Sequence, residues 1–321
     1  MPTTANGTVY TVYTATIDGL GRVRYIVADN AKTRTNLPCI LYAHGANGGL
    51  GSFSGGAGSA LLRDWLMDHG WVLIEGEGGP YDSTGASFNW WGAPISRQAY
   101  RAYFLYVAQL LSIGIVVAMG ASMGGLVTKW LATRSDIASR IVGYLGLAAV
   151  ATLFYGNYDT VPTDNPNNIN QRSGRYFAAP PNYSIWSAYG VNNYEDFEVA
   201  AASSAPELWE PSVWANKRIL EVYADNDIAV PWNPRGASRL RELRAGVPLV
   251  DIAHSIGTFT TGPDGVGHDL AAGWGMPMDV VTEFLTSLIP PVDPDPGPTE
   301  AFYATSGYFV NDGTRYPIVV G

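Results

Sequence analysis

The sequence predicts an α/β fold built on a mainly parallel, doubly wound sheet, and three observations carry that prediction. Apolar, strand-like runs alternate with helical stretches through most of the chain. The runs are continuously apolar rather than alternating, as strands covered on both faces must be. The run at 115–119 also feeds directly into Gly120-Ala121-Ser122-Met123-Gly124, and a helical pattern comes next over 125–133. A serine therefore stands on a strand-to-helix elbow, with glycines two before and two after it to permit a sharp turn. In a chain with 37 glycines the string alone says little; the strand before it and the helix after it give it weight.

The elements come in order. Residues 8–17 and 22–28 are β-rich and flank Asp18-Gly19-Leu20-Gly21, which reads as an N-terminal antiparallel β-hairpin. A strand at 37–43 leads through a Gly-rich loop to a helix near 59–69. A strand at 71–75 leads to a helix near 96–112, and then come the strand and helix of the elbow. Strands at 141–147, 218–223 and 248–253, with helices near 234–245 and 277–288, complete the pattern. Residues 150–216 break the rhythm with prolines, asparagines and many aromatics, Trp186, Trp209 and Trp214 among them. Lying between two sheet strands, they read as a cap insertion over the strand ends, with the aromatics forming its own small core. The expected organisation is one domain over 1–289, a Pro/Asp-rich linker at 290–299 and a β-rich segment at 300–321 turning at Asn311-Asp312-Gly313. Some twenty residues cannot make a core alone, so that segment either packs against something else, as an anchoring or oligomerisation element would, or is a fragment of a longer module.

Composition narrows the function. A chain of 321 residues, 47% hydrophobic and 15% charged, is globular. Its net charge of −9 argues against nucleic acid as a partner, since phosphate binding needs a basic face. Lysine occurs only as Lys32, Lys129 and Lys217, which leaves no polybasic membrane patch. The uncharged stretch 103–121 is broken at Ser112-Ile113-Gly114 and reads as a helix end plus a buried strand, not a membrane span. The N-terminus lacks the basic and apolar regions of a signal peptide, so the expected location is cytoplasmic. Cys39 is the only cysteine and reads as strand filler. The four histidines are scattered, and Asp164-Asn165-Pro166-Asn167-Asn168 lacks the glycine and distal glutamate of a calcium loop. No metal and no cofactor is expected.

Ser122 is the candidate nucleophile, and a serine hydroxyl needs a base and an orienting acid to act. The strand order, the elbow and the segments C-terminal to it resemble the α/β-hydrolase superfamily over roughly residues 30–290. That resemblance implies a nucleophile, acid and histidine in chain order. The acid would be Asp227 in Ala224-Asp225-Asn226-Asp227-Ile228-Ala229-Val230-Pro231, three residues before the Val-Pro turn, with Asp225 as the alternative. The histidine would be His268 in Gly265-Val266-Gly267-His268-Asp269, with His254, at the end of the preceding strand, as its rival. His44-Gly45-Ala46-Asn47-Gly48-Gly49 is similar to the family's oxyanion loop, though not a strict His-Gly-Gly-Gly. Amides of Ala46, Asn47 and Met123 would then form the oxyanion hole, and His44 would be structural. His69 reads as a helix-end cation or a packed surface residue, Glu75 and Glu77 as solvated or loop-capping carboxylates ahead of substrate contacts, and Phe88, Trp90 and Trp91 as packing beside the site.

The implied activity is that of a cofactor-free serine hydrolase cleaving a carboxylic ester through an acyl-enzyme. Its substrate would be a small molecule or a glycan or lipid ester. The alternative within the class is a peptidase similar to prolyl oligopeptidases, which share the Gly-x-Ser-x-Gly-Gly elbow. The Pro/Asp linker and terminal β segment also resemble tail-associated proteins of bacteriophages. That resemblance implies a virion structural or adhesion role, assembled through the C-terminal segment as a homo-oligomer or within a tail.

Overall fold

A computed structural model describes residues 1–80, 90–150, 153, 185–206, 209–227, 230, 251–258, 267–290, 308–311 and 314–320. The N-terminal hairpin is β1 (Tyr10–Ile17) and β2 (Gly21–Ala28), paired antiparallel along their full length. Next come β3 (Leu37–Ala43), α1 (Ala60–Asp68), β4 (Val72–Gly76), α2 (Pro94–Leu110), β5 (Ile113–Ala121) and α3 (Gly124–Arg134). After β6 (Ile141–Leu147) come the short helices α4 (Ile185–Tyr189) and α5 (Tyr194–Ala201). The described chain closes with β7 (Arg218–Tyr223), β8 (Asp251–Ser255), α6 (Met278–Leu288), β9 (Tyr308–Asn311) and β10 (Thr314–Val320). The helix expected near 234–245, the Asp164–Asn168 stretch and Phe88 lie outside the described residues.

The strands form one sheet in the order β8-β7-β6-β5-β3-β4-β2-β1-β10-β9. From β8 to β4 every neighbouring pair is parallel, and the remaining pairs are antiparallel. Alternate residues of β3 show how the sheet is covered. Cys39 and Leu41 enter the core shared with α2 and α3, whereas Ile40 and Tyr42 enter the core shared with α1 and α6. This is the doubly wound α/β arrangement the sequence predicts. Pro94 at the first turn sets the start of α2 two residues before the expected one, a position where its missing N–H is harmless. No helix among the described residues is long and apolar enough to cross a membrane.

One part of the chain departs from the reading of its sequence. Trp209 and Trp214 join the main core instead of a core of the insertion, and Trp214 meets Tyr144 edge-on at 6.0 Å. Phe197, Ile185 and Ala188 pack against Met123, Leu126 and Trp91 on the body. The physical reason is proximity in sequence to β7: the chain must return to the sheet there, and its large aromatics are buried on the way. The C-terminal strands β9 and β10 pair with each other, and β10 runs antiparallel to β1 from Ala15↔Val320 to Ile17↔Ile318. They extend the sheet edge away from β5.

Packing around the elbow is tight. A Cβ added at Gly124 would lie 2.1 Å from the carbonyl oxygen of Ala43, and backbone cannot yield as a flexible side chain does. Gly124→Ala is therefore expected to destabilise the fold by about 1–3 kcal/mol, read as a lowered urea midpoint at unchanged slope.

Candidate active site

The elbow places Ser122 at φ 46°, a left-handed conformation that costs a non-glycine residue about 1–3 kcal/mol. Three backbone hydrogen bonds hold it there. The Ser122 N–H donates to the Leu147 carbonyl at 3.1 Å, and its own carbonyl accepts from Val150 at 2.8 Å and Gly125 at 3.0 Å. The flanking glycines are required by contact as well as by turn geometry. A Cβ on Gly120 would come within 2.3 Å of Thr128 Oγ1, and one on Gly125 within 2.7 Å of the Ala149 side chain. Ser122 ends only 7% exposed, at the carboxyl end of the parallel strands.

His268 Nε2 lies 2.9 Å from Ser122 Oγ, and its Nδ1 lies 2.9 Å from Asp227 Oδ2. A carboxylate only accepts, so Nδ1 carries the donated proton and Nε2 is left to accept from the serine hydroxyl. The Asp227 side chain is fully buried, and its other oxygen accepts from the Val230 N–H at 2.8 Å. The His268 side chain keeps 25% of its surface open. Gly267 brings this chain close: a Cβ there would sit 2.5 Å from the Asp227 nitrogen. Asp225 lies in the same turn but bonds elsewhere, accepting from Ser255 Oγ at 2.7 Å. His254 sits within β8, paired in register with Val222.

The loop after β3 runs directly past the nucleophile. A Cβ on Gly45 would be 3.0 Å from Ser122 Cβ and 3.7 Å from Oγ. Asn47 turns the loop with φ 62°, and Ala46 packs against the apolar cluster that contains Met123. Met123 opens α3, where a backbone amide has no intrahelical acceptor. His44 is buried with Nδ1 2.7 Å from the Gly45 carbonyl and Nε2 3.1 Å from that of Glu77, a loop-bracing position. His69 closes α1, stacked on Trp65.

Glu75 and Glu77 cap loops, one of the two roles expected of them, and do so buried rather than solvated. Glu75 accepts from the amides of Phe53 and Ser54, and Glu77 holds both the amide and Nε of Arg22. Burial pushes the Glu77 carboxyl above its ordinary range, and the Arg22 contacts oppose that rise. The partners sit on β2 and in the loop before α1, far away in sequence, so their contacts leave no local signal. Trp91 is buried at φ 45° beside Met123, and its carbonyl accepts from Tyr189 at 3.0 Å. Among the described residues no group of three or more His, Cys, Asp or Glu side chains could hold a metal ion.

No protein-family model and no curated relative matches the sequence. The similarity lies in structure. A prolyl endopeptidase superposes with a TM-score of 0.56 at 15% identity, over 87% of this chain and 39% of its own. An esterase from Rhizomucor miehei does so at 0.55 and 12% identity, over 88% of this chain and 82% of its own. A puromycin hydrolase gives 0.56 at 14% identity, over 88% and 40%. The chain thus spans about two fifths of the two longer proteins and most of the esterase. With the sheet order, the elbow and these neighbours together, the chain has the α/β-hydrolase fold.

Proposed function

We propose that the protein is a serine hydrolase cleaving a carboxylic ester through Ser122, His268 and Asp227. The observation that carries the reading is the continuous hydrogen-bonded path from Ser122 Oγ through both His268 nitrogens to Asp227, each link 2.9 Å. His268 Nε2 takes the hydroxyl proton as Ser122 Oγ bonds to the ester carbon. The tetrahedral oxyanion is met by the amides of Met123 and of the Ala46–Asn47 loop. Collapse expels the alcohol, which takes its proton from Nε2 and leaves an acyl-serine. Water, deprotonated by the same nitrogen, then releases the acid and restores Ser122. Asp227 holds the imidazole tautomer and stabilises the imidazolium throughout.

Similarity of fold to esterases over most of both chains supports the ester reading. The prolyl endopeptidase neighbour supports the alternative, a peptidase. Hydrolysis of short nitrophenyl esters and of proline anilides, compared on one preparation, separates them. We expect kcat/KM for the acetyl or butyryl ester to exceed that for the anilide by at least about 10²-fold; the reverse order would make the protein a peptidase. The assembly role expected of residues 300–321 gains no support: β10 pairs along β1 of the same chain, and β9 pairs along β10.

A further inference from the structure

Lys129 on α3 is fully buried beneath the elbow, at 0% exposure. Its Nζ donates to the Tyr144 hydroxyl at 2.7 Å and to the Val150 carbonyl at 3.1 Å, and pairs with Glu221 Oε1 at 2.9 Å. One ammonium thereby joins α3 to β6, to β7 and to the segment that leaves β6. Gly146 makes this possible. It faces Glu221 across the β6–β7 ladder, and a Cβ on it would lie 1.9 Å from Glu221 Oε2, in the space the carboxylate occupies. Burial draws the Lys129 amine below its ordinary range, and the Glu221 charge draws it back up. For stability alone such a pair is a poor choice, because apolar residues of similar volume often serve as well or better.

The contact with Val150 suggests another role. Val150 is the residue whose N–H holds the Ser122 carbonyl at 2.8 Å. The chain between β6 and Val150 is itself strained: Ala148 stands at φ 45°, with its N–H held by the Val222 carbonyl at 2.9 Å. Two left-handed residues, Ser122 and Ala148, are thus tied together through the backbone around Val150. Lys129 is the side chain that grips Val150 from below. We infer that Lys129 is a positioning residue for Ser122, fixing the strained elbow through the Val150 carbonyl so that Oγ meets His268. This rests on Ser122 being the nucleophile.

The test separates positioning from charge balance. Lys129→Met combined with Glu221→Gln removes both charges at similar volume, and Glu221→Gln alone keeps the grip on Val150. The double variant is expected to melt near the native temperature yet lose about tenfold or more in kcat and in fluorophosphonate labelling rate, with KM within about twofold, as a small misplacement of a reacting atom does. Glu221→Gln alone is expected to stay within about threefold of native kcat, because the Val150 contact survives. A folded double variant that reacts at the native rate, or one that changes only KM, overturns the inference. So does a Glu221→Gln variant as slow as the double one. If the first double variant does not fold, Lys129→Met with Glu221→Leu replaces both charged side chains by apolar ones, and the same kinetic split decides. Native protein that leaves Ser122 unlabelled would instead remove the nucleophile reading; native labelling with an equally fast double variant removes only the role of Lys129.

Discussion

Replacing Ser122 with alanine is expected to lower kcat/KM for a short nitrophenyl ester by about 10⁴-fold or more while leaving the fold intact. The size of the loss reflects the loss of Oγ itself. Without Oγ no acyl-enzyme forms, and the remaining site can only bind the ester and stabilise its oxyanion. The intact fold is a property of the elbow. Among the described residues the Ser122 side chain hydrogen-bonds only His268, whereas the strained backbone is held by the Leu147, Val150 and Gly125 bonds that alanine keeps. Alanine at φ 46° is no worse placed than serine there. Circular dichroism and melting temperature check the fold, and a fluorophosphonate probe should label the native chain and not the variant. A Ser122→Ala protein with native turnover would mean that the chemistry lies elsewhere.

How much of this is legible in the sequence depends on the range of the interaction involved. The elbow is legible because its pattern is local, glycines two before and two after a serine between a strand and a helix, although the atoms that exclude a Cβ at Gly124 and Gly125 belong to Ala43, Ala149 and Val150. The parallel sheet is legible because strands buried on both faces must be continuously apolar, and β3, β4 and β6 largely are. Asp227 and His268 emerge through their order along the chain and through their loops, Asp227 standing three residues before Val230-Pro231 and His268 following the small residues Gly265-Val266-Gly267. The buried charges are not legible. A lysine on a helix reads as a solvated residue, and only its contacts with β6, β7 and Val150 show otherwise. A signal does exist: Glu221 interrupts the otherwise apolar run Ile219-Leu220-Glu221-Val222, and Gly146 opens a gap beside it. Trp214 reads as part of the insertion for a related reason. Its burial against Tyr144 is a contact across the fold, which residue type alone cannot anticipate.

The two aspartates of the acid turn should respond very differently to the same change. Asp227→Asn is expected to lower kcat by about 10⁴-fold, and Asp225→Asn to leave it within about threefold. Asp227 uses both oxygens as acceptors, one for the Val230 N–H at 2.8 Å and one for His268 Nδ1 at 2.9 Å. An asparagine can keep only one of them. If its oxygen stays on Val230, its NH₂ faces Nδ1, which must then accept. The imidazole proton moves to Nε2, and that nitrogen can no longer take the proton of Ser122. If the amide turns the other way, NH₂ is driven against the Val230 N–H in a fully buried position, two donors without an acceptor. Either orientation disables the base or strains the turn that holds it. Asp225 accepts from the exposed Ser255 hydroxyl, a bond that asparagine can reproduce with its own oxygen. Steady-state kinetics on the two variants at neutral pH decide the matter. If Asp225→Asn proved the crippled one, the acid would be reassigned and the path through Asp227 would be a structural contact only.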